Sequence, residues 1–158
     1  MIRRATIIAV GKLKGWSKDG ADDYAGRLRK HFPVEVVEVP ESDMNRLPPA
    51  EVLFSEAGRI LKKLPDGAHV VVLDRERGKQ FPSEDLAARR LAPLGESGRS
   101  HVAFVLGGAL GLAPEVLGRA DEAWSFGVLT MPHALARVVL LEQLYRAVKI
   151  HRGEKYHW

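Results

Sequence analysis

The stretch HVAFVLGGALGLAPEVLGRA, residues 101–120, decides the predicted fold. Its beginning, 101–106, is an apolar run of the kind found in strands that are buried on both faces of a sheet. Glycines interrupt the run at 107–111, and a proline suits the first turn of a short helix at 114–120. A buried strand followed by a tight turn and a helix is the repeating unit of a parallel α/β sheet.

Strands and helices alternate on both sides of this unit. Short apolar runs predict four further strands, at 6–10, 34–39, 69–73 and 123–129. Helical periodicity predicts helices at 19–31, 50–64, 83–94 and 133–150, with Ser83 as the N-cap of the third. We therefore predict a single α/β domain over residues 1–158, in which helices flank a parallel sheet and residues 151–158 form a functional tail.

The composition limits the chemistry and the location of the chain. Cysteine is absent, which excludes disulfides, thiolate nucleophiles and cysteine-based metal sites, and we predict no metal site. The 24 lysine and arginine residues exceed the 20 aspartate and glutamate residues, and the net charge of +4 mildly favours an anionic partner such as nucleic acid. No apolar run approaches the roughly 20 residues of a membrane span, and none resembles a signal peptide. We expect a cytoplasmic protein that does not contact membranes.

The carboxyl ends of the predicted strands are the expected ligand site, because loops diverge there in open parallel sheets. Leu73, the pair Gly107 and Gly108, and the segment 127–132 follow such ends. Paired glycines let the backbone approach a ligand and expose its N–H and C=O groups, although a plain turn is the alternative. The cluster lacks the GxGxxG spacing of dinucleotide sites, and the chain has no phosphate-binding P-loop motif.

Two side chains of the last predicted helix are candidate functional groups. His133 stands at the beginning of the helix, where free amides and the helix dipole favour an anion, and a helix cap is its alternative role. Arg137 follows one turn later. The same helix is apolar on more than one face, so we expect one side to pack on the sheet and the other to form a homodimer interface.

The tail combines cationic and aromatic side chains. Arg152, Lys155, Tyr156 and His157 fall within eight residues of the terminus. Proteins hold single-stranded nucleotides in this way, with charges along the phosphates and rings stacked on the bases. These four residues are the predicted RNA contacts, and a frayed terminus is the alternative.

Several motifs carry a resemblance to a known family. They are IIAVGKLK (7–14), VVLD (71–74), LGGALGL (106–112), WSF (124–126) and TMPHALARVVLLEQLYRAVKIHRGEKYHW (130–158). Over its whole length the chain resembles the RlmH family of SPOUT methyltransferases. The resemblance implies a homodimer, and a C-terminal trefoil knot that forms a pocket for S-adenosylmethionine. It also implies methylation of N3 of a pseudouridine, position 1915 of 23S ribosomal RNA, within the assembled ribosome.

The resemblance also assigns cofactor positions to this chain. The expected contacts are Leu73, Gly107, Gly108, Gly127, Val128, Leu129, Thr130, Met131 and Pro132. The chain departs from its relatives at Gly127, where serine is frequent, and at Trp158, where a basic residue is common.

The acceptor base must lose its N3 proton, and no carboxylate or thiol stands out in the sequence as the base that removes it. We therefore expect the catalytic or positioning groups among His133, Arg137, Tyr156 and His157, and we expect the tail of one subunit to complete the pocket of the other. Two alternatives stay open at this point. One is an RNA-binding ribosome assembly factor without catalysis, and the other is a generic nucleotide-binding α/β enzyme.

Overall fold

A five-stranded parallel sheet forms the centre of the molecule. The structure, a computed structural model, describes residues 1–156. The strand order is β2-β1-β4-β3-β5, and every pair of neighbours is parallel. The strands are β1 (Arg4–Val10), β2 (Val34–Val39), β3 (His69–Leu73), β4 (His101–Leu106) and β5 (Glu122–Trp124).

Five helical segments connect and cover the strands. They are α1 (Gly15–Leu28), α2 (Pro49–Lys63), α3 (83–96), α4 (Pro114–Arg119) and α5 (His133–His151). The third contains a π-helical stretch, Leu86–Leu91, between two short α-helical pieces. None of the helices within residues 1–156 has the length and apolarity needed to cross a membrane.

β4 lies in the middle of the sheet because it is apolar on both faces. Phe104 pairs in register with Ile7 of β1 and Val71 of β3, and all three side chains are fully buried. On this face they pack against α1, α3 and α5, while the alternate strand residues pack against α2 and α4 on the other. The predicted class, a parallel sheet with helices on both faces, is confirmed.

Most of the predicted elements are confirmed. Three strands have the bounds that were predicted, 34–39, 69–73 and 101–106. The prediction of a strand over 123–129 is wrong beyond Trp124, because the chain turns away from the sheet at the next residue. There the Ser125 hydroxyl contacts the carbonyls of Arg75 and Gly127 at 3.0 and 3.1 Å. Gly127 has φ +120°, which is incompatible with a strand.

Ser83 is not an N-cap. Pro82 occupies the cap position, and Ser83 is the first residue of α3. Its hydroxyl donates instead to Oε1 of Gln143 in α5, at 2.6 Å, and so ties two helices together.

The loop 74–79 and the end of β5 clasp one another. The N–H of Asp74 donates to the carbonyl of Trp124, and the N–H of Lys79 donates to that of Ala123, each at 2.9 Å. The N–H of Ser125 donates back to the Lys79 carbonyl at 3.0 Å. This clasp fixes the path of the chain from β5 toward α5. The trefoil knot stays a prediction.

Gly78 allows the clasp to close, which gives a first prediction. A Cβ at this position would lie 2.2 Å from the Trp124 carbonyl carbon and 2.4 Å from the Asp74 carbonyl oxygen. We expect Gly78→Ala to lower the free energy of unfolding by about 2–3 kcal/mol, because both obstacles are backbone atoms that move only with the clasp. Urea denaturation followed by circular dichroism measures the change.

Gly26→Ala is the matched control. Gly26 is exposed on α1, and a Cβ there meets nothing within 4 Å. Alanine should raise the stability by about 0.5–1 kcal/mol through its helix propensity. Equal unfolding midpoints for the two variants would contradict the role of Gly78.

Candidate functional site

A cleft of about 690 Å³ opens at the carboxyl ends of β3, β4 and β5. This volume lies within the range of small-molecule sites. Three segments wall it: 73–77 after β3, 106–112 after β4, and 124–133 between β5 and α5. The wall is mixed in character, because backbone turns and the Asp74 carboxylate alternate with apolar side chains such as Leu112 and Phe126.

The structure brings most of the predicted cofactor contacts together in this cleft. Those that line it are Leu73, Gly107, Gly108, Gly127, Leu129, Thr130, Met131 and Pro132. Val128 does not line it: the side chain is 73% exposed, and its carbonyl accepts a hydrogen bond of 3.0 Å from Nη1 of Arg75. The roles of all these residues in binding stay predictions.

The glycine turn after β4 has a conformation that depends on its glycines. The N–H of Gly111 donates to the carbonyl of Gly108 at 3.1 Å, and Gly111 has φ +81°. A Cβ on Gly107 would lie 2.4 Å from the Gly111 carbonyl oxygen. A Cβ on Gly108 would lie 3.1 Å from Cγ1 of Val10 at the end of β1. The turn therefore presents backbone rather than side chains to the cleft.

Asp74 organises the turn on the opposite wall. Its Oδ1 accepts hydrogen bonds from the N–H groups of Glu76 and Arg77 at 2.9 and 3.0 Å, and its Oδ2 pairs with Nη1 of Arg77 at 3.2 Å. Burial opposes ionisation of this carboxyl, yet the backbone hydrogen bonds and the guanidinium hold the pKa of Asp74 below its ordinary value. The cleft thus contains an ionised carboxylate near neutral pH, which is suited to hydroxyl donors or a positive charge.

Gly127, where the resemblance led us to expect serine, has a distinctive backbone. Gly127 has φ +120°, and its N–H donates to the Ser125 hydroxyl at 3.2 Å. A side chain at Gly127 would be strained in this conformation. The neighbouring Ser125 therefore supplies the hydroxyl that orders this part of the cleft.

His133 lines the cleft at the beginning of α5, as predicted for a residue at the ligand edge. Its Nε2 lies 3.5 Å from the position that a Cβ on Gly11 would occupy. The imidazole is thus held against the turn that follows β1. Its alternative role as the N-cap is wrong, because Pro132 occupies that position.

Arg137 does not line the cleft, which corrects its prediction as a catalytic group. The side chain is buried, Nη1 pairs with Oε2 of Glu38 at 2.6 Å, and Nη2 donates to the carbonyl of Gly11 at 2.9 Å. The same Glu38 oxygen accepts the N–H of Leu13 at 2.9 Å. Arg137 therefore holds the turn between β1 and α1, against which His133 lies.

Tyr156 docks on its own subunit, away from the cleft. Its ring meets Tyr145 edge-on at 5.0 Å, and its hydroxyl donates to Oε1 of Glu142 at 3.1 Å. Burial and the neighbouring Tyr24 and Glu142 raise the pKa of Tyr156, which keeps the phenol protonated. Within one chain, Tyr156 is therefore not a base for a ligand in the cleft.

Two cationic residues of the tail lie on the surface of the same subunit. Arg152 and Lys155 are both exposed, and the guanidinium of Arg152 pairs with Glu154. His157 lies outside the described residues. The structure therefore separates Arg152, Lys155 and Tyr156 from the cleft of their own subunit. The alternative of a frayed tail is wrong for the chain as far as Tyr156, which packs on α5.

The sequence reasoning missed several residues near the cleft. Arg75, Arg77 and Phe126 line the cleft. The only feature of the sequence that could have identified them is their position shortly after a strand. Glu56 carried a clearer signal, since it stands on the apolar stripe of α2, four residues from both Val52 and Ile60. A charged residue on a buried helical stripe has a specific partner or function in most proteins.

Comparisons with known proteins agree with this architecture. Residues 3–157 match the family described as "Predicted SPOUT methyltransferase". A protein of Rubrobacter xylanophilus named "Ribosomal RNA large subunit methyltransferase H" is 70% identical over 158 residues, which is 100% of both chains. A protein of the same name from Acetivibrio thermocellus is 45% identical, over 98% of this chain and 99% of its own.

Solved structures share the fold at low sequence identity. A probable methyltransferase from Bordetella pertussis is 18% identical, with a TM-score of 0.54 over 93% of this chain and 96% of its own. A probable methylase family protein from Haemophilus influenzae is 15% identical, with a TM-score of 0.51 over 98% of this chain and 70% of its own.

The contacts of Arg137 yield a second prediction. We expect Arg137→Met to lower the free energy of unfolding by about 2–3 kcal/mol, because it leaves Glu38 and the Gly11 carbonyl without their partner. The value is below that of a fully buried pair, since the side chain of Glu38 is 33% exposed. Urea denaturation measures the change.

Arg27→Met on the surface of α1 is the control and should change the stability by less than about 1 kcal/mol. An Arg137→Met variant as stable as this control would restore Arg137 as a candidate ligand contact.

Proposed function

This chain belongs to the SPOUT methyltransferase family, and from this premise we propose that it methylates N3 of a pseudouridine, position 1915 of 23S ribosomal RNA, in the assembled ribosome. Its class, a methyltransferase that uses S-adenosylmethionine, follows from the family. The observation that carries the proposal is 70% identity, over the full length of both chains, to a protein named for ribosomal RNA methylation.

The residues of the cleft fit S-adenosylmethionine. Exposed backbone groups of the glycine turn suit the polar edge of an adenine, and Leu112 and Phe126 are apolar surfaces for its faces. The ionised carboxylate of Asp74 is an acceptor for ribose hydroxyls and complements a positively charged donor. Leu73, Gly108 and the segment 127–132 would hold the cofactor.

The protein contributes alignment and exclusion of water. S-adenosylmethionine, when bound, supplies an electrophilic methyl group for an in-line displacement by N3. The turns at 107–111 and 127–132 would hold the methyl donor in the direction that this displacement requires. His133 is the titratable side chain at the α5 end of the cleft, and we assign to it the positioning of the base or the acceptance of its N3 proton.

We also propose that the functional unit is a homodimer with a C-terminal trefoil knot. Leu129 at the rim of the cleft is 77% exposed in the single chain, and a second copy would cover such an apolar side chain. In the dimer, the tail of one subunit with Arg152, Lys155, Tyr156 and His157 would reach the cleft of the other and bind the RNA there.

The first test is direct methylation. Ribosomes that lack the N3 methyl group, incubated with the protein and labelled S-adenosylmethionine, should gain one methyl group at the proposed pseudouridine, mapped by mass spectrometry of nuclease fragments. Gly108→Val should abolish methylation and cofactor binding in calorimetry, because its Cβ meets Cγ1 of Val10 at 3.1 Å and Oε1 of Glu56 at 3.3 Å, and the branched side chain displaces the turn that walls the cleft. Gly118→Ala, where a Cβ meets nothing within 4 Å, is the control. Ribosome binding without methylation by the wild type would favour the non-catalytic assembly factor.

A shared site predicts complementation between subunits. Gly108→Val and His157→Ala homodimers should both be inactive, the first in the cleft and the second in the tail. Mixed dimers retain one intact cleft facing one intact tail, so activity should return to at most about half of the wild-type level. Co-expression with two different tags isolates the mixed dimer. Inactivity of that dimer would show that cleft and tail act within one subunit.

A further inference from the structure

The turn between β1 and α1 exposes a tryptophan close to two lysines, on the edge of the sheet where the cleft opens. Residues 11–18 read GKLKGWSK. Lys12 and Lys14 are exposed on either side of the buried Leu13, and Trp16, at the beginning of α1, is 65% exposed. The functional account above leaves Lys12, Lys14 and Trp16 without a role.

Internal hydrogen bonds hold this turn in place. The N–H of Leu13 donates to Oε2 of Glu38 at 2.9 Å, and the same carboxylate pairs with Arg137 of α5. Further along the turn, the hydroxyl of Ser17 donates to the carbonyl of Lys14 at 2.9 Å. The exposed side chains thus project from a fixed backbone, which reduces the entropy lost when they bind a ligand.

The charges of Lys12 and Lys14 are not compensated by the protein itself. Neither lysine forms an ion pair within residues 1–156, whereas the nearby Lys18 pairs with Asp22. No ring in the part of the chain that the structure describes contacts Trp16. Ammonium groups attract phosphates, and an exposed indole offers a face on which a base stacks. The turn therefore has both components of a site for single-stranded nucleic acid.

This turn lies next to the cleft. Nε2 of His133, on the wall of the cleft, is 3.5 Å from the position that a Cβ on Gly11 would occupy. Gly11 and Trp16 are five residues apart, which corresponds to at most about 18 Å of extended chain. A few nucleotides of single-stranded RNA span such a distance, so a strand whose target base enters the cleft reaches Trp16.

Resting on the proposed function, we propose that Trp16 stacks on an unpaired base of the ribosomal RNA near the target, while Lys12 and Lys14 contact the adjacent phosphates. Stacking on an aromatic side chain tolerates any base, so this surface fixes the position of the strand rather than reading its sequence. The three side chains do not line the cleft. Their contribution is therefore to the binding of the ribosome and not to the methyl transfer itself.

Trp16→Leu tests the stacking, because leucine keeps an apolar side chain and removes the ring. The assay measures the affinity of labelled protein for ribosomes that lack the N3 methyl group, and separately kcat and KM for their methylation. We expect the affinity to fall at least about fivefold and KM to rise, with kcat and the calorimetric affinity for S-adenosylmethionine unchanged. Trp16→Phe should restore most of the affinity.

Phe54→Leu is the matched control for the loss of an exposed ring. Phe54 is 70% exposed on α2, and the variant should bind ribosomes as the wild type does. Thermal unfolding of each variant verifies that the fold is retained.

The salt dependence of ribosome binding tests the two lysines. Replacing both Lys12 and Lys14 by glutamine should reduce the slope of log affinity against log salt by about 1.4, because each phosphate contact with a single strand contributes about 0.7. Replacing both Lys62 and Lys63 by glutamine removes the same charge from the last turn of α2, which leads to the beginning of β3. This control should keep the slope of the wild type. Equal slopes for the two double variants would show an effect of net charge alone and overturn the assignment.

The outcomes separate this inference from the proposed function. If the wild type methylates the target and Trp16→Leu binds ribosomes as tightly as the wild type, the assignment of Trp16 is wrong and the proposed function stands. If Trp16→Leu converts a dimer into monomers in sedimentation velocity, Trp16 belongs to a contact between two copies, and the assignment is again overturned. Failure of the wild type to bind ribosomes would overturn both proposals. Binding without methylation would overturn only the proposed function, because a loss of affinity in Trp16→Leu and not in Phe54→Leu still supports the RNA contact.

Discussion

The clasp between the loop 74–79 and the end of β5 is the constraint on which the site depends. Its three backbone hydrogen bonds join Asp74, Lys79 and residues 123–125, and they are possible because Gly78 leaves room for the Trp124 carbonyl. The clasp brings the turn after β3 beside the segment that leads to α5. The third wall, the glycine turn, follows β4, which pairs with β3 in the centre of the sheet. The bond from the Ser125 hydroxyl to the Arg75 carbonyl and the bond from the Arg75 guanidinium to the Val128 carbonyl extend this connection toward the segment 127–132.

Buried charges hold the remaining edge of the site. Arg137 connects α5 to Glu38 of β2 and to the Gly11 carbonyl after β1, and thereby seats the beginning of α5, with His133, against the sheet. Glu56 does the same for the loop after β2 through Ser42, but with one oxygen left over. Each of the two residues keeps one buried polar atom without a hydrogen-bond partner among the described residues, Nε of Arg137 and Oε1 of Glu56.

Errors of the sequence interpretation share a physical cause. The segment after Trp124 has the composition of a strand, yet Ser125 contacts the Arg75 carbonyl and the chain leaves the sheet. Tyr156 is of a residue type typical of RNA contacts, yet in the single chain it packs on Tyr145 and Glu142 of the preceding helix, α5. Arg75 is 50 residues from Ser125 along the chain, and Glu142 and Tyr145 are 14 and 11 residues from Tyr156. Local propensity does not register such distant partners.

The sequence by itself determined most of the elements, the parallel sheet with helices on both faces, and the edge of the sheet at which the cleft opens. These follow from local chemistry: continuous apolar runs require burial on both faces, and glycine turns follow the strands that line the cleft. The motifs also carried the family. Only the tertiary structure decided which charged side chains line the cleft and which are buried against the protein. Burial and pairing of Glu56 and Arg137 depend on elements far apart in the chain, and helical position alone does not reveal whether a buried charge has found a partner there.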